Sequence, residues 1–189
     1  MESIAGKLIL FLGGARSGKS ALAEKLASEY ADVAYIATAD AIDDEMIERI
    51  AKHKKSRPSR WITYEVEGDL RGAFKRACSG ADAIIIDCMT VYIGGRMHKT
   101  AGDHEIMEEI IEIIGDVSRS GKTVLIISNE VGMGVVPEYP VGRRYRDLLG
   151  AINQRIAEAA DKVILTIAGI PLDIKALGVD EFSAFKRSN

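Results

Sequence analysis

Leu8-Ile9-Leu10-Phe11-Leu12-Gly13-Gly14-Ala15-Arg16-Ser17-Gly18-Lys19-Ser20 is the stretch that decides how the rest of the chain is read. An unbroken apolar run bounded by glycine reads as a buried strand. A glycine, four residues, then Gly-Lys-Ser follows it, and helix formers begin at once. Glycines let the backbone curl until successive N–H groups point at one spot, where phosphate oxygens fit. The helix that starts near Lys19 adds its positive end. Lys19 is then expected to reach the outer phosphates of ATP or GTP, and Ser20 to ligate Mg²⁺. Gly13, Gly14, Ala15, Arg16, Ser17 and Gly18 complete the grip, with Arg16 placed for a phosphate role.

Working outward, apolar runs alternate with helix-period segments. Strands are predicted over 7–12, 33–38, 83–87, 123–128 and 163–168. Helices are predicted over 19–30, 43–55, 69–78, 103–119 and 144–160. The segment 61–66 is β-rich, and reads as an edge or an antiparallel strand. Continuous apolar strands separated by helices imply a mostly parallel sheet with helices on both faces, an α/β architecture of the P-loop NTPase-like kind. Ligands in such folds bind at the carboxyl ends of the strands. That rule places Gly13–Ser20, Thr38, Asp87 and Asn129-Glu130 along one rim. Asp87 closes the run Ile84-Ile85-Ile86 and has the form of the Mg²⁺-side carboxylate of such enzymes.

Composition sets the bounds. With 189 residues, 47% hydrophobic and 28% charged, the chain is expected to form a single nucleotide-binding domain over 1–189. A net charge of −3 gives no global pull toward nucleic acid. No apolar run approaches the ~20 residues of a membrane span. The first residues lack the basic region of a signal peptide. Cys78 and Cys88 are not paired in any metal-type spacing, which suits a cytoplasmic protein.

A second informative stretch is Arg49-Ile50-Ala51-Lys52-His53-Lys54-Lys55-Ser56-Arg57-Pro58. On a helix, His53 falls at the margin of the apolar stripe of Met46, Ile47, Ile50 and Ala51. Surrounding cations disfavour imidazolium and keep the ring neutral and nucleophilic. From the residues alone, two readings stand: a carrier of a covalent phosphorus intermediate, or a partly buried histidine on a basic helix end.

Four blocks resemble the bifunctional adenosylcobinamide kinase/adenosylcobinamide-phosphate guanylyltransferase family. Gly13–Ser20 is similar to its GGARSGKS. His53, Arg57-Pro58, Trp61, Thr63 and Glu65 match its histidine block. Asp87-Cys88-Met89-Thr90 resembles its DCLT. Ser128-Asn129-Glu130-Val131-Gly132-Met133-Gly134 runs on through Val136-Pro137, Arg146-Asp147, Gly150, Asn153-Gln154, Ala160-Asp161 and Ala168–Leu172 in the family's order.

The resemblance implies two steps. ATP or GTP phosphorylates the aminopropanol hydroxyl of adenosylcobinamide. His53 then takes GMP from GTP and passes it to adenosylcobinamide phosphate, giving adenosylcobinamide-GDP. Lys19, Asp87 and His53 become the catalytic residues. Glu65, Asn129 and Glu130 join the nucleotide-binding set, and Ser20 with Asp87 holds the metal. A homo-oligomer, in form a trimer, and a cytoplasmic enzyme without a nucleic-acid partner are also implied.

Two departures stand out. Lys54 takes a position where the family often has Arg. After Thr90 the family usually runs aromatic-leucine toward an asparagine. Here the chain reads Val91-Tyr92-Ile93-Gly94-Gly95-Arg96, with glycine where that asparagine is expected, and the glycines are expected to loosen the loop after Asp87. Two further readings use the same P-loop: a kinase for another small alcohol, and a nucleotide-dependent switch ATPase. Arg143, Arg144 and Arg146 form a basic cluster suited to phosphates, to a neighbouring subunit, or to a solvated helix start. Trp61 reads as a stacking platform or as core.

Overall fold

The computed structural model describes residues 6–39, 57–66, 68–99 and 102–177. The helix expected over 43–55, with His53 on it, lies outside the described residues. Twelve elements follow in chain order: β1 (Leu8–Leu12), α1 (Lys19–Ala27), β2 (Val33–Ala37), β3 (Ile62–Glu65), α2 (Leu70–Cys78), β4 (Ala83–Asp87), α3 (Met89–His98), α4 (Asp103–Ser120), β5 (Thr123–Ile127), α5 (Pro140–Ala159), β6 (Lys162–Ile167) and β7 (Ile170–Asp173).

The seven strands form one sheet in the order β3-β2-β4-β5-β1-β6-β7. All neighbours are parallel except β6 and β7, which pair antiparallel. The strand β3 is the edge, as one of the two sequence readings had it, but it is parallel to β2.

Strand side chains alternate between faces, so each apolar strand feeds two cores. One face carries Ile9, Phe11, Tyr35, Ile85, Leu125 and Ile127 against Ala23 and Ala27 of α1. Small alanines let α1 approach the sheet closely, which brings its N-terminus over the end of β1. The opposite face carries Leu10, Ile36, Ile84, Ile86 and Ile126 under α2, α3, α4 and α5. Leu148, Leu149, Ile152 and Ile156 of α5 are buried as the helical period requires, and Ile106, Ile110 and Ile113 of α4 likewise. Val117 completes the α4 stripe. Trp61 is core, 7% exposed on the α1 face.

Three elements differ from the sequence reading. Residues 89–98 form helix α3, not a loop, so Gly94-Gly95 sits inside a helix. Glycine costs a helix about 1 kcal/mol relative to alanine, which hid this element. The short β7 holds Pro171, which is tolerated because the strand is at the sheet edge. Helix α5 begins at Pro140, four residues before the expected start, with proline in the first turn where its missing N–H does no harm.

The joint between α2 and α4 is electrostatic. Arg71 Nε donates to Asp116 Oδ2 at 2.5 Å, and Arg119 donates to Asp116 Oδ1 at 2.7 Å. The Arg71 hydrogen bond foremost, with Arg119 adding to it, draws the Asp116 carboxyl down to about 2. A carboxylate whose folded value is depressed adds stability above its ordinary value and loses it as pH falls through the folded one. Stability of the parent should therefore fall between about pH 4 and pH 2. Denaturant melts of Asp116→Asn against pH should show a flatter profile there. An identical slope in both proteins would remove Asp116 from the acid response.

Candidate functional site

The loop between β1 and α1 is built on strained backbone that only its sequence permits. Gly13 has φ +145° and Gly18 φ +99°. A Cβ on Gly13 would lie 2.3 Å from the Thr166 carbonyl oxygen and 2.8 Å from Ser17 Oγ. Arg16 also sits left-handed at φ +57° and is exposed, which holds the crest of the loop outward. Behind the loop stands the β6–β7 turn: Gly169 N donates to the Ser17 carbonyl at 2.8 Å. The loop is therefore gripped from below by residues near position 168.

Lys19 is 6% exposed and its Nζ donates to the Gly14 carbonyl at 2.7 Å. The lysine folds back across the hollow of its own loop, where a phosphate oxygen can take over the ammonium. Burial pulls its pKa below the ordinary value, and Cys88 and Asp87 oppose this. Asp87 thus lies close enough to act on the ammonium. Ser20 stands one residue on, at the start of α1, and is partly buried. The Ser20 hydroxyl and the Asp87 carboxylate are hard oxygen donors of the kind Mg²⁺ takes together with nucleotide phosphates. Among the described residues no group of three or more His, Cys, Asp or Glu forms a metal cage. That donor set fits a cation shared with a bound nucleotide.

Asp87 is fixed from the side. The Tyr35 hydroxyl, in the middle of β2, donates to Asp87 Oδ2 at 2.5 Å. Register explains the contact: Ala37 pairs with Asp87 and Tyr35 with Ile85, so both side chains rise on the α1 face. Thr38 Oγ1 bridges the next residue, donating to the Cys88 carbonyl and accepting from Cys88 N, each at 2.7 Å. Burial, with Asp87 beside it, pushes the Cys88 thiol up to about 11. It stays protonated near neutrality, which removes it as a nucleophile.

Asn129 and Glu130 do reach the loop. Glu130 N donates to the Gly13 carbonyl at 3.1 Å. The Glu130 carboxylate accepts from Gly132 N at 2.6 Å. Asn129 N donates to Thr90 Oγ1, and its carbonyl accepts from Asn153 Nδ2 at 3.0 Å. This lattice ties the end of β5 to α3 and α5. Glu65 is not brought to the loop: β3 is four strands from β1 in the sheet, roughly 19 Å at strand spacing. The arginine cluster is used within the chain. Arg143 donates to the carbonyls of Pro137 and Glu138, Arg144 pairs with Asp103, and Arg146 with Asp147. His53 lies outside the described residues, so its distance to the loop is not part of this geometry.

Tyr35 is the site residue that sequence reasoning missed. One signal pointed to it: a phenol in the otherwise apolar run Val33-Ala34-Tyr35-Ile36-Ala37 needs a buried partner for its hydroxyl. Gly169 was seen only within the Ala168–Leu172 motif and Thr166 only within a predicted strand, without their place behind the loop.

A parallel sheet, a glycine-strained loop at the end of β1, a lysine folded into it and a carboxylate two strands away define a P-loop nucleotide-binding protein. The solved KaiC-like protein PH0186 of Pyrococcus horikoshii OT3 shares this fold, with a TM-score of 0.50, 18% identity, and coverage of 85% of this chain and 71% of that one. The chain belongs to the cobinamide kinase / cobinamide phosphate guanyltransferase family, whose model matches residues 9–174. It is 40% identical over 180 residues to the bifunctional adenosylcobalamin biosynthesis protein CobU of Salmonella typhimurium strain LT2, covering 89% of this chain and 99% of that one. It is 37% identical over 180 residues to the protein of the same description from Escherichia coli K12, again covering 89% and 99%.

Proposed function

We propose that this enzyme phosphorylates adenosylcobinamide with ATP or GTP and then guanylylates the product. The observation that carries the reading is the Lys19 ammonium folded into the Gly13–Ser20 loop within electrostatic reach of Asp87. In the first step the aminopropanol hydroxyl attacks the γ-phosphorus, the bond to the nucleoside diphosphate breaks, and the hydroxyl proton leaves. Such a transfer needs positioning and charge neutralisation above all. The loop N–H groups and Lys19 supply both on the donor side. Ser20 and Asp87 would hold Mg²⁺, which would supply further charge neutralisation.

In the second step a His53 ring nitrogen attacks the α-phosphorus of GTP. A P–N bond forms and pyrophosphate leaves. An oxygen of adenosylcobinamide phosphate then attacks the same phosphorus, the P–N bond breaks, and adenosylcobinamide-GDP is released. A covalent carrier splits a hard transfer between two anions into two easier displacements. Glu65 stands just beyond the Arg57–Trp61 block, far from the loop, and we assign it to the nucleotide of this second step. Asn129 and Glu130 are assigned to the loop-bound nucleotide.

A homo-oligomer, in form a trimer, belongs to the same reading. Its support is the exposed apolar run of Met133, Val135, Val136, Tyr139 and Val141 before and at the start of α5. We place the enzyme in the cytoplasm, where ATP and GTP are abundant and the unpaired thiols of Cys78 and Cys88 stay reduced.

The test is incubation with Mg²⁺ and GTP labelled at the α-phosphorus, beside His53→Ala. An adduct on the parent that survives alkali, is lost in acid and is missing from the variant is the expected result. No adduct on a parent that still binds nucleotide would leave a P-loop kinase without a guanylyl step.

A further inference from the structure

Tyr35 joins two parts of the molecule that the reaction uses separately. Its side chain is 1% exposed in the middle of β2. Its hydroxyl donates to Asp87 Oδ2 at 2.5 Å. Its ring face carries a second load: the guanidinium carbon of Arg57 lies 3.4 Å from the ring centroid. Among the described residues Arg57 has few other anchors. Its Nη1 meets Thr63 Oγ1 of β3 only at 3.5 Å, and its Nε is buried without a hydrogen-bond partner. The aromatic face is therefore the main seat of this cation.

Arg57 begins the Arg57-Pro58…Trp61 block, four residues after His53 in sequence. Trp61 closes that block in the same α1-face core as Tyr35. One phenol thus touches the metal-side carboxylate with its edge and the histidine block with its face. A carboxylate with one oxygen taken by a fixed donor is held in one rotamer and presents the other oxygen in a set direction.

We propose that Tyr35 is a positioning residue shared by both steps, orienting the Asp87 carboxylate toward the cation through its hydroxyl and seating Arg57, the arginine of the histidine block, on its ring. The second half of this rests on the guanylyl role given to His53 above. The first half does not.

Two variants separate the halves. Tyr35→Phe keeps the ring and deletes the donor. Arg57→Gln keeps the hydroxyl and deletes the cation. Mn²⁺ binding to the complex of full-length protein with a non-hydrolysable ATP analogue, read by electron paramagnetic resonance, reports the carboxylate without turnover. Formation of the α-labelled GMP adduct reports the histidine block. Tyr35→Phe is expected to weaken Mn²⁺ about tenfold at unchanged metal-free nucleotide affinity and unchanged thermal midpoint. Arg57→Gln is expected to leave Mn²⁺ affinity as in the parent and to slow adduct formation at least tenfold.

Parent-like Mn²⁺ affinity in Tyr35→Phe would overturn the orienting role. A loss of metal-free nucleotide affinity equal to the loss for Mn²⁺ would overturn it too, by showing a general disturbance. Parent-like adduct formation in Arg57→Gln would overturn the seating role. If the parent itself forms no adduct, the guanylyl reading and the seating role fall together, while the Mn²⁺ comparison still decides the hydroxyl.

Discussion

Lys19→Ala should slow phosphoryl transfer to adenosylcobinamide by about a hundred- to a thousandfold, the usual loss when one preorganised charge donor is removed from a reacting group. The ammonium already lies in the hollow of the loop, bonded to the Gly14 carbonyl and largely shielded from water. It needs only to exchange that carbonyl for a phosphate oxygen, so little reorganisation is left for the reaction itself. Arginine is not a substitute. Its planar fork is wider than the compact ammonium for which this curl has room. Lys19→Arg is therefore expected to fall nearly as far. Single-turnover assays with γ-labelled ATP measure the effect, and a thermal melt separates it from unfolding. A variant within threefold of the parent would show that the transferred group is neutralised elsewhere.

The largest stability effect is expected at Gly13. A Cβ there would stand 2.3 Å from the Thr166 carbonyl oxygen, with the backbone at φ +145°. The obstacle is backbone of strand β6, paired with β1 and β7, which cannot turn aside as a side chain can. Left-handed strain alone costs about 1–3 kcal/mol, and the clash adds to it. Gly13→Ala should lose about 3 kcal/mol or more, in the range reserved for a named steric cause. At roughly 2–4 °C per kcal/mol for a chain of this size, the midpoint should drop by about 6–12 °C. Nucleotide affinity should fall with it, since the loop must part from the β6–β7 turn. Gly14 is the contrast. A Cβ there meets nothing within 4 Å, so Gly14→Ala should melt close to the parent. Equal melting of the two variants would mean that the close packing of the loop on Thr166 does not hold in solution.

The phosphate loop was legible in sequence because it is local. Strand, glycines, lysine and helix start fall within a dozen residues, and each has a physical signature of its own. Asp87 and Asn129-Glu130 were legible one level up, since parallel strands all end at the same rim. What stayed hidden depends on which strands are neighbours. Tyr35 meets Asp87 only because β2 pairs with β4 in one register, and no local pattern encodes that pairing. The same holds for Glu65, which shares a rim with Gly13 but stands at its far end. Helix α3 was masked by Gly94-Gly95 and β7 by Pro171, because local preference there is overruled by packing. The glycine pair expected to loosen a loop is instead held in a helix. There Tyr92 bonds Glu109 of α4, and the Tyr145 hydroxyl of α5 bonds the Thr90 carbonyl at 3.0 Å. His53 lies outside the described residues, and its role rests on its charged surroundings and on resemblance.

The brace under the phosphate loop has a bearing on how the protein is born. Residues 13–18 leave the ribosome well before Thr166 and Gly169, which pin them. A nascent chain that already contains the whole nucleotide motif still lacks its support. The growing polypeptide should thus fail to bind nucleotide until residues near 170 have emerged. Competence then arrives late in synthesis, when the last strands close on the first.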